Sequence, residues 1–230
     1  MGSLDEKLVE VICDAKKKGI EYIVFGENHL DCNITALLDK LIGSKIVSSL
    51  YLECFDAGEI DPSFKVNKTP YNLIPDKYEK LVESAKNKNI RTFGITPRDI
   101  NRWNCLVNSW ARYISSSHTK KEPALILVGN LHVAFSKSRY TNGSINLVDN
   151  LIANGVPREN IMSICVINDD AIPIEKGIYK TESLQRIVPF YVGNLKISDY
   201  VILSSSIELS SGRKCPFMEN FDVFLELATH

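Results

Sequence analysis

Two of the four histidines in this chain occur in the same short frame, Gly-x-x-His, and an apolar run precedes each frame. His29 ends the segment YIVFGENH, residues 22–29, and His132 ends the segment LILVGNLH, residues 125–132. An apolar run that stops at glycine is typical of a buried strand that ends in a turn. Each imidazole is therefore expected just past the carboxyl end of a strand, where open α/β sheets place their ligand sites.

Two carboxylates are expected at the same place. Glu27 lies inside the first frame, and Glu53 follows a third apolar run, residues 49–52. Because the carboxyl ends of parallel strands meet at one edge of a sheet, these groups and both histidines are expected there together. An imidazole that a carboxylate orients takes a proton from water or from a substrate hydroxyl near neutral pH. The pattern predicts an acid–base site made of Glu27, His29, Glu53 and His132.

The same groups also suit a divalent metal. Two imidazoles and one or two carboxylates are a workable ligand set for a first-row ion that keeps open positions. His29, His132 and Glu53 would then be the ligands. Because these residues come from separate strands, no local spacing distinguishes a water activated by a metal from a water activated by histidine. Both interpretations stay open at the level of the sequence.

An arginine is expected beside these groups to balance the negative charge of a reacting oxygen. Arg98 and Arg102 both follow a predicted strand. Pro97 fixes the backbone that leads into Arg98, so Arg98 is favoured for the site and Arg102 for the surface. Cys32 and Cys54 are near the site in sequence, but neither has a local pattern that would activate a thiol.

The apolar pattern also predicts a sheet that brings these strand ends together. Helical spacing alternates with short apolar runs through residue 168, which is typical of right-handed βαβ units and a parallel sheet. We therefore predict an α/β fold with a mainly parallel sheet flanked by helices. Strands are expected at residues 22–25, 46–52, 90–95, 124–128 and 161–167, and helices at 4–18, 34–43, 77–88, 99–114 and 145–152.

The C-terminal part, residues 169–230, has a different pattern. Its short β-like runs are expected to add strands to the same sheet, in either direction. We predict a single α/β domain, residues 1–230, with an alternating core up to residue 168 and a β-rich C-terminal extension. The β-like runs lie at residues 186–192 and 199–203, and a helix candidate lies at 221–227.

Composition excludes several classes of partner. Lys and Arg total 27 and Asp and Glu total 28, so a net charge of −1 attracts neither nucleic acid nor an anionic membrane. No run of about 20 apolar residues is present to span a membrane. The expected partner is a small-molecule or peptide substrate, and no oligomeric state is indicated.

The cysteines and the N-terminus bear on the cellular location. Six cysteines occur without a Cys-x-x-Cys pair, which argues against a zinc ribbon and against a disulfide scaffold. The first residues lack the apolar region of a secretion signal. The predicted location is the cytoplasm, and secretion as an effector without a classical signal is the alternative.

With these motifs in order, the chain resembles the superfamily that joins the ChaN-like haem-binding proteins, the erythromycin esterases and the Tiki/TraB proteins. The match to the ChaN-like pattern is closest, because GENHLD, residues 26–31, resembles its Gly-Glu-x-His-x-Asp start. LECF, residues 52–55, resembles its strand that ends in glutamate, and GNLH, residues 129–132, resembles its second glycine–histidine frame. Arg98 or Arg102 resembles its mid-chain arginine.

The implications of this resemblance differ between the branches. All three imply an α/β fold with the site at the carboxyl edge of the sheet. The esterase branch implies a hydrolytic centre of Glu27, His29, Glu53, an arginine and His132. The Tiki branch implies a divalent metal held by the two frame histidines and a glutamate, whereas the ChaN branch implies haem binding without hydrolysis. Members also occur as domains of bacterial toxins and injected effectors.

We therefore predict a hydrolase of an ester, amide or peptide bond, of the esterase or metallopeptidase type. Either His29 or a metal would activate the attacking water, Glu27 and Glu53 would orient the site, and Arg98 and His132 would stabilise developing charge. The alternative prediction is a ChaN-like haem-binding protein without hydrolytic activity. A third hypothesis is an interaction protein that keeps a degenerate site.

Overall fold

The computed structural model describes residues 4–27, 33–60, 76–97, 103–118, 122–129, 131–134, 145–168 and 223–227. Within these ranges the strands form one sheet that is almost entirely parallel, and helices cover both of its faces. A strand from the C-terminal part joins the same sheet. The predicted α/β fold class is confirmed.

Strands and helices alternate along the described part of the chain, and the sheet order is β3-β4-β2-β5-β1-β6-β7. The short strand β3 runs antiparallel to β4, whereas the other neighbouring strands are parallel. The strands are β1 (Tyr22–Glu27), β2 (Ser49–Asp56), β3 (Gly58–Glu59), β4 (Arg91–Thr96), β5 (Ala124–Gly129), β6 (Ile161–Asn168) and β7 (Val223–Leu227). The helices are α1 (Leu4–Lys17), α2 (Asn33–Gly43), α3 (Asp76–Asn87), α4 (Trp103–Ser117), α5 (Leu131–Ala134) and α6 (Leu147–Ala153).

The central strand β5 explains why the apolar runs of this sequence lack alternation. All six of its residues are buried, because parallel strands with helices on both faces have no solvated side. Successive side chains still point to opposite faces. Leu125 and Leu127 pack with α1, α2 and α3, whereas Ile126 and Val128 pack with α4, α5 and α6.

The order of the strands places a reversal of the chain's direction at the centre of the sheet. From β1 the chain passes beyond the position of β5 to β2 and then outward to β4, with α2 and α3 on one face. It returns to β5 and continues to β6 with α4 and α6 on the other face. Ligands of doubly wound sheets bind at such a reversal, outside the carboxyl ends of the strands. Here those ends belong to β1, β5 and β2.

A bulge in β2 interrupts its pairing with β4. The register pairs Leu52 with Gly94 and Asp56 with Thr96, so residues 53–55 of β2 oppose a single residue of β4. The Thr96 hydroxyl donates a hydrogen bond to the Glu53 carbonyl inside the bulge. Bulges redirect side chains beside functional sites, and this one includes Glu53. The strand therefore extends four residues past the end that the sequence predicts, Leu52.

The C-terminal helix candidate at residues 221–227 was wrong, because Val223–Leu227 is the strand β7. A run of five residues is compatible with either structure, and the edge of β6 that faces away from β1 supplies hydrogen-bonding partners for a strand. The expected strands at 186–192 and 199–203 lie outside the described residues. Within the described residues, no helix is long and apolar enough to cross a membrane.

Gly94 is expected to be essential for the bulge. A Cβ atom at this position would lie 2.7 Å from the Phe55 carbonyl carbon and closer still to the Asp56 carbonyl oxygen. Because backbone atoms cannot rotate away, Gly94→Ala should lower the free energy of unfolding by about 1–3 kcal/mol or more. Urea denaturation of the purified variant measures this loss.

Gly43→Ala is the matched control, since a Cβ at Gly43 meets nothing within 4 Å. Its stability should equal or exceed that of the wild type, because alanine is the better helix former. Equal denaturation midpoints for Gly94→Ala and the wild type would show that the bulge does not depend on this glycine.

Candidate functional site

The structure brings Glu53 and His132 together at the carboxyl edge of the sheet. Glu53 Oε1 lies 3.6 Å from His132 Nε2, and Glu53 Oε2 accepts a 2.6 Å hydrogen bond from the Gly129 backbone N–H. Glu27 is the register partner of Gly129 on the adjacent strand β1. Glu27, Glu53 and His132 are 2%, 4% and 3% exposed, so all three are withdrawn from bulk water.

The hydrogen bonds of His132 determine its tautomer. Its Nδ1 lies 3.0 Å from the carbonyl oxygen of Ile145, which can only accept, so Nδ1 carries a proton. In a neutral ring Nε2 is then an acceptor, and it faces an acceptor oxygen of Glu53. The edge-to-face contact with Trp110, at 4.9 Å between ring centroids and an interplanar angle of 78°, fixes the ring further.

Tyr78, near the beginning of α3, is the partner of Glu27. Its hydroxyl donates a hydrogen bond to Glu27 Oε1, and its ring contacts Phe55 edge-on at 6.4 Å. Burial, and then the charge of the Glu27 carboxylate, raise the pKa of Tyr78 far above its ordinary value. The phenol therefore remains protonated and donates over the whole physiological pH range. The sequence pattern of α3 marks Tyr78 only as a core residue.

Several predicted site residues lie outside the described residues. They include His29 and both candidate arginines, Arg98 and Arg102, so their roles stay predictions. Cys54 is buried and forms no disulfide with a described residue, and Cys32 is outside the described ranges.

The predicted metal centre is only partly within the described chain. Among the described residues, no group of three or more His, Cys, Asp and Glu side chains is arranged to hold a metal ion. Glu53 and His132 are two of the three predicted ligands and lie close together. The third, His29, falls outside the described residues, so the metal stays a prediction.

Asn146 is a further residue of the site that the sequence analysis did not identify. It is fully buried and forms the N-cap of α6 by accepting hydrogen bonds from the Val148 and Asp149 backbone N–H groups. The sequence does contain a signal for this role, because asparagine before an apolar helical run is a favoured N-cap. The predicted helix began at Ile145, two residues before the observed first residue Leu147, and thereby concealed this cap.

A second cluster of buried polar groups lies at the opposite, amino edge of the sheet. His118, directly after α4, has its Nδ1 3.4 Å from the Ser49 hydroxyl and contacts the Tyr22 ring edge-on at 5.1 Å. Burial, and then the neighbouring charge of Glu21, raise the pKa of Tyr22 to about 12.

Comparisons with known proteins assign no family to the chain. No family model matches it, and no curated protein matches it. A solved structure described as "Bacterial protein toxins" aligns with 72% of this chain at 12% sequence identity, with a TM-score of 0.49. The alignment covers only 37% of that structure's chain. The predicted membership of the ChaN-like, esterase and Tiki superfamily, and both predicted activities, therefore stay predictions.

Replacement of Tyr78 by phenylalanine should destabilise the protein without enlarging any side chain. The variant removes a hydrogen bond from the buried Glu27 carboxylate, and loss of such a partner costs about 1–3 kcal/mol. Chemical denaturation at pH 7 measures the loss. Tyr113→Phe, at a half-buried tyrosine of α4, is the control and should lie within about 0.5 kcal/mol of the wild type. Equal stabilities of the two variants would contradict the role of the Tyr78 hydroxyl.

The buried tyrosines also predict an alkaline limit to stability. Their pKa values are raised in the folded protein, to about 12 for Tyr22, and upward for Tyr51 and Tyr78. A raised pKa stabilises the fold below the unfolded value of about 10, and that contribution disappears as the pH rises through the folded value. We expect the free energy of unfolding to fall between about pH 10 and 12.

Tyrosinate absorbance and circular dichroism, recorded together against pH, test this expectation. Tyr22, Tyr51 and Tyr78 should ionise only as the protein unfolds, so their share of the absorbance change should coincide with the change in circular dichroism. Ionisation of all nine tyrosines before any change in circular dichroism would contradict it.

Proposed function

We propose that this chain is a hydrolase of an ester, amide or peptide bond, with His132 and Glu53 as its acid–base pair. The observation that carries the proposal is the convergence of two buried proton acceptors, His132 Nε2 and Glu53 Oε1, at 3.6 Å. A backbone group binds the other end of each side chain. The Ile145 carbonyl accepts a hydrogen bond from His132 Nδ1, and the Gly129 N–H donates one to Glu53 Oε2.

Two facing acceptors require a positive charge or a donor between them. A proton on Nε2 would make an imidazolium beside a carboxylate, and a water molecule could instead donate one hydrogen to each atom. The separation of 3.6 Å is longer than a direct N–H···O hydrogen bond. The arrangement therefore supports a pair that accepts a proton from a bound water and later returns it.

The proposed reaction follows from this proton exchange. The pair removes a proton from a water molecule as its oxygen attacks the carbonyl carbon of the substrate. The same proton then passes to the departing alkoxide or amine, so the products are a carboxylic acid and an alcohol or amine. Arg98 is proposed to balance the charge of the tetrahedral oxyanion and His29 to assist the attacking water; both roles carry over from the sequence.

Glu27 is proposed to orient the site and to take no proton. Its Oε1 accepts from the Tyr78 hydroxyl, which remains protonated because burial raises the pKa of Tyr78. The neighbouring strand ends thus carry two carboxylates in different environments. Catalytic sites that assign separate roles to two carboxylates use such a difference.

The donor set of the pair is also compatible with a metal. A metal-bound histidine usually donates its second ring N–H to a carbonyl or carboxylate, as Nδ1 of His132 does to Ile145. His132, Glu53 and the predicted ligand His29 would hold a divalent ion, which would polarise the substrate carbonyl. Elemental analysis of protein purified without chelator, compared with a His29→Ala/His132→Ala double variant, decides whether an ion accompanies the pair.

Hydrolysis assays on a panel of nitrophenyl esters, aminoacyl nitroanilides and mixed peptides test the proposal. His132→Gln and Glu53→Gln should each lower kcat by about 10²–10⁴-fold, since each removes a group that exchanges the proton. Glu53→Gln keeps an oxygen acceptor for the Gly129 N–H, so its melting temperature reports whether the site still folds.

The matched control is His118→Gln, which changes the other described buried histidine, at the opposite edge of the sheet. It should retain the wild-type kcat. Full activity in both site variants, or an equal loss in His118→Gln, would refute the assignment of His132 and Glu53.

A further inference from the structure

We infer that Asn146 is a positioning residue for His132, because it connects the turn that carries the imidazole to the carbonyl group that selects its tautomer. The effect on turnover rests on the proposed function, whereas the effect on the tautomer does not. Asn146 is fully buried and immediately precedes α6.

The amide oxygen of the Asn146 side chain forms the helix cap. Its Oδ1 accepts hydrogen bonds of 2.8 Å from the Val148 N–H and 3.3 Å from the Asp149 N–H. This function needs only an oxygen acceptor, and serine, threonine or aspartate at an N-cap supplies one as well. The cap alone therefore does not explain why an amide stands here.

The amide nitrogen of the same side chain reaches α5. Asn146 Nδ2 donates a 2.7 Å hydrogen bond to the backbone carbonyl of Val133, the residue that follows His132. The Asn146 backbone is held as well, because its carbonyl accepts a 2.8 Å hydrogen bond from Asn150 Nδ2. The amide thus ties the histidine-bearing turn to the first turn of α6, and a serine or aspartate cap lacks the N–H donor for this bond.

The consequence for the imidazole follows from the chain order. Ile145 directly precedes Asn146, and its carbonyl accepts the Nδ1 proton of His132 at 3.0 Å. Asn146 therefore fixes the backbone next to His132, through the Val133 carbonyl, and it adjoins Ile145, whose carbonyl accepts the Nδ1 proton. If the amide bond is lost, α5 can shift relative to Ile145, and Nδ1 loses the acceptor that retains its proton.

The other tautomer of the neutral ring then becomes more favourable. With the proton on Nε2, the imidazole would donate to Glu53 Oε1, which lies 3.6 Å away in the wild-type protein. An Nε2-protonated neutral ring cannot take a proton from water at that atom. Loss of the Asn146 amide is therefore expected to replace the Nδ1-protonated tautomer by the Nε2-protonated one and to disable the base.

Two-bond ¹H–¹⁵N correlation spectra of histidine-labelled protein test this inference, recorded from pH 6 to pH 10. The neutral His132 ring should be Nδ1-protonated in the wild type and wholly or largely Nε2-protonated in Asn146→Ser. Absence of the signal in His132→Gln assigns it. On an identified substrate, kcat of Asn146→Ser should fall about 10–100-fold with KM within about twofold.

The matched control is Asn154→Ser, at the other end of α6. It removes two hydrogen bonds that Asn154 Nδ2 donates, one of 2.9 Å to Asn108 Oδ1 and one of 2.8 Å to the Asn150 carbonyl. It should leave the His132 tautomer and kcat unchanged. A similar change in both variants would mean that any weakening of α6 disturbs the ring, and would overturn the specific role of Asn146.

The remaining outcomes are also decisive. A wild-type tautomer and kcat in Asn146→Ser would reduce Asn146 to a helix cap and overturn the inference. If no substrate is hydrolysed by the wild type, the proposed function fails, whereas the spectra still decide the positioning role. If Asn146→Ser does not fold, Asn146→Asp keeps the cap with a charge that suits a helix N-terminus. An unchanged tautomer in that variant would overturn the inference.

Discussion

The burial of β5 between β1 and β2 is the constraint on which the rest of this structure depends. Every residue of β5 is buried, so a polar group at its carboxyl end must find its partners inside the protein. The last N–H of this strand, that of Gly129, donates to the Glu53 carboxylate. The N–H group at the end of β5 and the Glu53 carboxylate of β2 thus satisfy each other's need for a hydrogen-bonding partner. The bulge in β2 is part of this solution, because Glu53 is the first residue of the interrupted register.

The two glutamates of the site differ in the side chain that each carboxylate faces. Glu53 faces an imidazole, a group that can carry a charge. Glu27 faces a phenol that stays protonated, because burial and Glu27 itself raise the pKa of Tyr78. A buried carboxylate that loses a hydrogen-bonding partner costs about 1–3 kcal/mol or more, so each of the two carboxylates requires a side chain from a neighbouring helix. The two carboxylates of the site therefore lie in different environments, one beside a titratable imidazole and one beside a neutral phenol.

The sequence predicted the sheet because its strands are buried on both faces and therefore appear as continuous apolar runs. It also predicted that Glu53 and His132 follow such runs, which is why the pair could be found before the structure. The bulge at residues 53–55 could not be predicted, since it depends on pairing with β4, a strand some forty residues away in the chain. The contacts of the imidazole with Ile145 and Trp110 could not be predicted either, because both residues lie in other segments of the chain. Tyr78 carried no signal beyond apolar helical spacing, which is equally typical of the core.

The two edges of the sheet show how the same residue type acquires different properties. At the amino edge, His118 has a serine hydroxyl and a tyrosine ring as neighbours, and hydroxyl groups adapt to either protonation state of an imidazole by rotating. At the carboxyl edge, a carbonyl and a carboxylate approach opposite nitrogens of His132. Neither oxygen can donate, so the protonation state of this ring determines whether the arrangement is favourable. The carbonyl and the carboxylate beside His132 both favour a proton on the nitrogen that they face, whereas the hydroxyl beside His118 accommodates either protonation state.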